Sequence, residues 1–413
     1  MMFKNKAFQG KTINIRDAIH GFINLNLIEQ EIIKTYPFQR LRFIHQLGPT
    51  FFVYPTANHK RFEHSLGVAH LSSKVIKKLR EFENFEISEQ DEQIFRIACL
   101  IHDIGHAPFS HVGEDMNLFE NGIDHEIMTS KIISETQIGE IIKKSLGEEA
   151  LQRVLFISTE KASPVKDIDY IFNELLTGQA GIDRMDYLLR DSYYLGVMYG
   201  KYDLERLIET ICFDKEDGIY WEEGGIHSLE QFILARYFMF LEVYFHKTRR
   251  SLDYHISQLI REFLRENLKA DKFPSDVNNF LKIDDFKILS WGLEQEDFRK
   301  IFIEREFFRK IQTESTEHPK PEEIIIWDWL SNEIAREFND TEFYVDKAEN
   351  APYKFEKPDI KIKKDNKLLP IHEVSTLVSN LRPLQKIRIY VKLKKLETIE
   401  NFVRDFLNKR GIK

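Results

Sequence analysis

The chain is expected to be mainly α-helical, with a small α+β lobe at its C-terminus. Three observations lead there. Apolar residues recur at helical spacing through most of the chain. One segment near residue 100 is apolar on every side, as a fully buried helix is. Strict alternation of apolar and polar residues, the mark of a half-buried strand, appears clearly only after about Asp340.

Taken in order, Phe38, Leu41, Ile44 and Leu47 fall three apart, which predicts a helix over Pro37–Leu47 stopped by Gly48-Pro49. A second helix is predicted over His64–Phe82, from Leu66, Val68, Leu71, Val75, Ile76 and Leu79. The run Glu92–Ile104 ends in Ile97-Ala98-Cys99-Leu100-Ile101 and is halted by Gly105. Ile157–Asp169, with Ser158, Thr159, Ser163 and Pro164, reads as a loop. Ile211–Phe213 and Ile219–Trp221, joined through Asp217-Gly218, read as a hairpin. One long helix is expected over Leu229–Asn267. Lys386–Leu393 alternates Ile387, Ile389, Val391 and Leu393 against Lys386, Arg388, Tyr390 and Lys392, and Phe355–Ile362 is a second candidate strand.

Composition narrows the function. With 413 residues, 42% of them hydrophobic, the chain has ample material for a core, including 33 Phe. A formal charge of −8 argues against binding nucleic acid by bulk electrostatics, so any bound anion needs a local basic cluster. Two cysteines, Cys99 and Cys212, rule out a cysteine-rich zinc site and suit a reducing cytoplasm. Met1–Gly10 has no signal-peptide h-region, and no apolar run is long enough to span a membrane, so a cytoplasmic protein without membrane association is expected.

Half of the 14 histidines lie between His59 and His125. At their centre His102 and Asp103 leave the end of the all-apolar segment together. An ionised Asp beside a core is costly unless it is paired or holds a metal. Imidazole plus carboxylate suits Mn, Fe, Ni or Zn better than Ca. A lone His-Asp pair occurs by chance in many proteins, and a buried His can simply be bonded to an Asp. Arg61-Phe62-Glu63-His64 upstream, His106, His111 and His125 downstream, and the charged segment Gly181-Ile182-Asp183-Arg184-Met185-Asp186-Tyr187 raise this pair above that background. Two His and two Asp make four ligands and leave open positions on an octahedral ion, as catalysis requires.

Five ordered motifs then carry a resemblance: Phe38-Gln39-Arg40-Leu41-Arg42; Gln46-Leu47-Gly48; Arg61 through Val68; His102-Asp103-Ile104-Gly105-His106-Ala107-Pro108-Phe109-Ser110-His111; and Asp183-Arg184-Met185-Asp186-Tyr187. Together they resemble the HD-domain deoxynucleoside triphosphate triphosphohydrolases, from about Asp17 to Lys247. With the patterning above, an HD phosphohydrolase domain is expected over 1–265, a helical extension over 266–340 and the small lobe over 341–413. The resemblance implies metal ligands His64, His102, Asp103 and Asp183, and catalytic residues His106, His111, Glu114 and His125. Arg61, Arg184, Tyr187, Arg236, Tyr244 and Lys247 fall on triphosphate ligands. Gln46, Leu47 and Asp191 fall on deoxyribose-lining positions, and Tyr244 on the residue that excludes a 2′-hydroxyl. Lys34 stands where regulated relatives carry an acidic residue, which argues against guanine activation of their type.

The implied reaction is hydrolysis of a dNTP to deoxynucleoside and inorganic triphosphate at one divalent ion (Mn, Fe, Ni, Zn or Mg), with a further Mg that can accompany the triphosphate. His111 is the expected acid for the leaving 5′-oxygen, with His106, His125 and Glu114 orienting it or helping to activate water. The family implies a homo-oligomer, dimer or tetramer. Two other readings stand beside this one: a different HD phosphohydrolase (phosphomonoesterase or nuclease), or a nucleotide sensor with little turnover.

Overall fold

Two short antiparallel strands, β1 (Ile13–Asp17) and β2 (Gly21–Leu25), open the part of the chain that the computed structural model describes, which is residues 12–115, 117–120, 122–339, 341–351, 353 and 359–410. Met1–Gly10, read above for a leader, lie outside it. Next come α1 (Leu27–Ile33), capped by the side chain of Asn26, and α2 (Tyr36–Arg40). The helix expected to continue to Leu47 ends at Arg40, passes through one tight turn and becomes extended at Ile44. Its three-residue apolar period persists because Leu41 and Ile44 are core residues in either conformation. Tertiary bonds favour the break. Arg40 donates to the carbonyls of Ile283 and His106 at 2.9 Å each, and the amide of Gln46 bonds to His59 O at 3.1 Å.

The core of the main domain is built on α3 (Arg61–Leu79) and α4 (Glu89–Ile101), packed against each other. α4 starts in a capping box in which Ser88 and Asp91 bond each other's amides. Ile94, Phe95 and Ile97 through Ile101 are then all buried, so this helix meets protein all round. α5 (Val112–Asp115), α6 (His125–Glu135), α7 (Gln137–Leu146), α8 (Glu148–Thr159) and α9 (Ile168–Thr177) follow, and the loop expected over Ile157–Asp169 is confined to residues 160–167. α10 (Ile182–Leu195) lies across α3, and α11 (Leu204–Glu209) leads into β3 (Ile211–Asp214) and β4 (Gly218–Glu222). These two strands are the predicted hairpin, and Gly218 takes the positive φ of 73° that its turn needs.

The expected long helix is broken. α12 (Ile226–Phe238) runs into a π-helical turn over Met239–Tyr244, and α13 (Lys247–Leu268) starts afresh after His246. Such turns re-aim side chains, and this one turns Tyr244 into a cavity. α14 (Val277–Leu281), α15 (Asp285–Glu294) and α16 (Glu296–Phe302) complete the helical part.

The C-terminal lobe is a three-stranded antiparallel sheet. β5 (Arg309–Glu314) comes from the segment expected as a helical extension; the others are β6 (Phe343–Asn350) and the central β9 (Leu384–Val391). α17 (Pro321–Glu337) and α20 (Leu396–Asn408) cover it and share its apolar cluster. β9 was expected to be half-buried. Both of its faces are buried, because Arg388 bonds Glu314 and the carbonyl of Phe245, and Tyr390 OH bonds Lys247 O at 2.8 Å. β7 (Lys361–Lys364) and β8 (Lys367–Pro370) instead extend the β3–β4 sheet, β7 parallel to β4, before the short α18 (Ile371–Val374) and α19 (Thr376–Ser379). Of the strand expected over Phe355–Ile362, residues 355–358 lie outside the described chain. Among the described residues no helix is long and apolar enough to cross a membrane.

Candidate metal centre and adjoining cavity

Three helix ends bring the centre together. His64 sits on the first turn of α3, His102 and Asp103 follow the last turn of α4, and Asp183 opens α10. Ligand atoms of His64, His102 and Asp103 lie within 4.8 Å of one another. Asp183 Oδ1 lies 3.0 Å from His64 Nε2 and 3.6 Å from His102 Nε2.

Hydrogen bonds behind the imidazoles settle their tautomers. His102 Nδ1 faces the carbonyl of Cys99 at 2.9 Å. A carbonyl only accepts, so Nδ1 carries the proton and Nε2 presents a lone pair. That Nε2 is buried with no hydrogen-bond partner, in the midst of two carboxylates. His64 Nδ1 donates to Asp186 Oδ2 at 2.8 Å. Asp186 is fully buried and also takes His20 Nε2 at 2.7 Å and Arg190 at 2.7 and 2.8 Å, while Arg190 bonds Asp17 at 2.8 Å. Asp186 therefore orients His64 and has no oxygen left for an ion, which makes Asp183 the candidate for a fourth donor. Burial opposes a charge on His64, yet the hydrogen bonds to Asp183 and Asp186 and the nearby Asp103 outweigh it and raise its pKa to about 10. The same concentration of negative charge suits a cation. An orphaned imidazole nitrogen, a second imidazole and two carboxylates fit a borderline divalent metal.

Two glycines let the helices approach. A Cβ on Gly67 of α3 would lie 1.9 Å from Asp186 Oδ1, and one on Gly105 would lie 2.3 Å from the carbonyl of His125. The amide of Gly105 instead bonds Thr129 Oγ1 at 2.9 Å, which holds α6 beside the His102–Asp103 turn.

The histidine group downstream is a second, distinct array. His106 is buried and points Nε2 at Asp103 Oδ1, 3.3 Å away. Burial, with Arg61 and His125 nearby, holds it well below the usual imidazole range. It stacks on His125 at 4.2 Å and meets the more exposed His111 edge-on at 5.0 Å. Glu114 bridges the two outer rings, 2.5 Å from His125 Nδ1 and 3.3 Å from His111 Nδ1. Burial resists its ionisation, but those bonds keep its pKa far below the ordinary carboxylate value, and the same contact raises that of His125 against the effect of burial.

Arg61 links this array to a cavity of about 530 Å³. It bonds Asp103 through Nη1 and Ser110 Oγ through Nε at 2.8 Å, and Ser110 lines the cavity. The cavity is also lined by Gln46, Leu47, His111, Tyr187, Asp191 and Tyr244. Tyr244 OH donates to Asp191 Oδ2 at 2.6 Å, and His59 Nε2 holds the other oxygen at 2.8 Å.

Residues 61–173 match the HD domain family, and residues 202–411 match the HD associated region. The chain belongs to the HD-domain family. HD domains bind divalent metal ions, and their superfamily is one of phosphohydrolases. The HD chain is similar to a solved structure of a hypothetical protein from Aquifex aeolicus, at 32% identity and a TM-score of 0.80 over 95% of this chain and 99% of that one. It is similar to a solved phosphohydrolase from Bacteroides thetaiotaomicron, at 27% identity and a TM-score of 0.74 over 92% of this chain and 100% of that one. It is 34% identical to the deoxynucleoside triphosphate triphosphohydrolase SAMHD1 homolog of Dictyostelium discoideum over 66% of this chain and 53% of that protein.

Three residues singled out from the sequence, Arg184, Arg236 and Lys247, are not among those that line the cavity. Arg184 donates to the carbonyls of Thr177 and Gly178. Arg236 is buried near Tyr187, and burial together with repulsion from Arg184 lowers its pKa. Lys247, at the start of α13, is exposed and does not line the cavity. Sequence reasoning missed Asp285, which holds His45 Nδ1 at 2.7 Å and the amide of Phe109 at 2.7 Å, so that the chain before Leu47 and the turn before His111 share one anchor. It also missed Arg190, and Lys347 through Asn350 of β6, which form a further wall. Asp285 acts through partners far off in the chain, and the β6 wall is held by Arg250 on Asp346 and Lys347 on Asp328, so no local motif marks either; only the i, i+4 spacing of Arg190 from Asp186 is visible in the sequence.

Proposed function

We propose that this HD protein hydrolyses deoxynucleoside triphosphates at the α-phosphate, to deoxynucleoside and inorganic triphosphate. The observation that carries this reading is the buried Tyr244–Asp191 pair, in a nucleotide-sized cavity that adjoins the His64–His102–Asp103–Asp183 cluster. A tyrosine ring fixed at both ends of that bond leaves little room beside a sugar. The name of the Dictyostelium relative supports the same reading.

His64, His102, Asp103 and Asp183 would hold the divalent ion. When bound, such an ion polarises the α-phosphate and lowers the pKa of water. Around it the chain's own groups have distinct parts. Arg61 Nη2 is buried with no hydrogen-bond partner, a donor left over for a phosphoryl oxygen. Arg184 and Arg236, both close enough to act on Tyr187, add the local positive charge that a protein of net charge −8 needs to bind a polyanion. His106, kept neutral by burial and donating from Nε2 to Asp103, has an Nδ1 lone pair without a partner, suited to take a proton from the attacking water. As the water oxygen bonds to phosphorus, the bond to the 5′-oxygen breaks. His111, more exposed and lining the cavity, gives that oxygen a proton from Nε2 while Glu114 holds Nδ1.

Identifying products tests this. Metal-loaded protein is incubated in turn with each dNTP, each NTP, a phosphomonoester and single-stranded DNA. Inorganic triphosphate with deoxynucleoside is the expected result; orthophosphate, or cleaved DNA alone, would replace this reading with another HD chemistry.

A further inference from the structure

One wall of the cavity has no part in the chemistry above. Lys347 through Asn350, the last four residues of β6, line it, and they belong to the C-terminal sheet rather than to the matched HD domain. Arg250 Nη2 on Asp346 Oδ1, at 2.6 Å, fixes this strand to α13, and the stacked rings of Tyr254, Tyr344 and Tyr390, at 4.1 and 4.8 Å, stiffen the joint. The wall is therefore held in register with the cavity and is not a loose flap.

Two carboxamide oxygens on this cavity, Gln46 Oε1 and Asn350 Oδ1, are buried with no hydrogen-bond partner. Buried polar atoms are nearly always paired, and an unpaired one beside a cavity marks where a ligand donor belongs. Gln46 stands next to Leu47, on the sugar side. Asn350 has no role in the reaction as drawn. Its wall does not suit phosphate: Glu349 brings a carboxylate, while Arg250 and Lys347 are committed to Asp346 and Asp328. It suits a flat, neutral, polar-edged group. A carboxamide offers an acceptor and two donors in one plane and matches the paired N–H and lone pair on a base edge. Phe109, Phe240 and Phe245 supply apolar surface for the ring faces. A triphosphate anchored near Arg61 and His111 leaves its base for walls such as this one.

We propose that Asn350 reads the nucleobase, so that the C-terminal lobe sets base preference while the HD domain carries out hydrolysis. This rests on the nucleotide reading above.

The test compares wild type with Asn350→Leu, which removes the amide at similar size, and Asn350→Asp, which keeps the acceptor and loses the donors. In Asn350→Leu, kcat/KM for the preferred dNTP falls about tenfold, the loss expected for one hydrogen bond, and the spread among the four bases narrows. Inhibition by inorganic tripolyphosphate, which has no base, is unchanged. Asn350→Asp shifts preference away from thymine, toward bases bearing an amino group. An unchanged ranking in both variants overturns the inference. Deoxynucleoside binding, measured by calorimetry, separates the two levels. If wild type releases no triphosphate from any dNTP, the hydrolysis reading fails, and weaker deoxynucleoside binding in Asn350→Leu still supports a base contact. Equal binding in wild type and variant, or none in wild type, removes it.

Discussion

Gly67→Ala sets two effects of known sign against each other. Gly67 lies within α3, where alanine is favoured over glycine by about 1 kcal/mol. On helix propensity alone the variant would be more stable. The added Cβ, however, would lie 1.9 Å from Asp186 Oδ1 and 2.4 Å from Arg190 Nη2. Neither atom can yield freely. Asp186 Oδ1 takes His20 and Arg190 at 2.7 and 2.8 Å, and both residues are fully buried. Relief requires α3 and α10 to separate by roughly 1 Å in a close-packed interior, or the buried ion pair to break, which costs about 3–5 kcal/mol. After the propensity gain, a net loss of about 2–4 kcal/mol is expected. His64 shifts with Asp186, so metal affinity falls as well. Urea unfolding and metal content by elemental analysis read both. A variant as stable as wild type with full metal occupancy would refute the argument that this contact sets the geometry of the centre.

Three further outcomes follow from the same geometry. Asp186→Asn keeps an acceptor for His64 Nδ1 but loses the charge, so metal affinity falls about 10–100-fold with the fold retained; chelator competition measures it, and an unchanged affinity contradicts the orienting role. Glu114 has a lowered pKa and His125 a raised one. The contribution of Glu114 is present above its unfolded value of 4.5 and is lost as pH falls, whereas that of His125 is present below 6.5 and is lost as pH rises through the raised folded value. Both contribute near pH 5.5, so Glu114→Gln is less stable than wild type there by about 2 kcal/mol, and the gap narrows as pH rises through the raised His125 value; a gap that stays constant across the alkaline range argues against the ion pair. Tyr244→Ala opens the sugar site and lowers discrimination against ribonucleotides at least about tenfold, read as the ratio of kcat/KM for dNTP and NTP; unchanged selectivity removes the steric role of the ring.

The His102–Asp103 half of the candidate centre was legible because its pattern is local, whereas His64 and Asp183 entered through the resemblance. His102 and Asp103 leave an all-apolar helix together, and that pattern needs no knowledge of the fold. The Asp217-Gly218 hairpin was legible for the same reason. What escaped depends on distant partners. The segment after Arg40 keeps a helical period while being extended, since Leu41 and Ile44 are buried either way and the deciding bonds come from Asp285 and His59. The π turn before Tyr244 leaves the apolar pattern of α12 intact, so the sequence looks like one helix. β9 alternates as a half-buried strand does, but its polar face meets α13 and Glu314 instead of water. The Lys347–Asn350 wall lies far from the motifs that mark the HD domain, and nothing in its composition signals a cavity.

The proposed reaction is metal-dependent attack of water on the α-phosphorus. Hydrolysis of a dNTP in water enriched in oxygen-18, followed by mass spectrometry of both products, tests it most directly. Attack at the α-phosphorus places one labelled oxygen in the inorganic triphosphate and none in the deoxynucleoside, and Asp183→Ala shows no turnover. Label in the deoxynucleoside, in released orthophosphate or in a nucleoside monophosphate would contradict it.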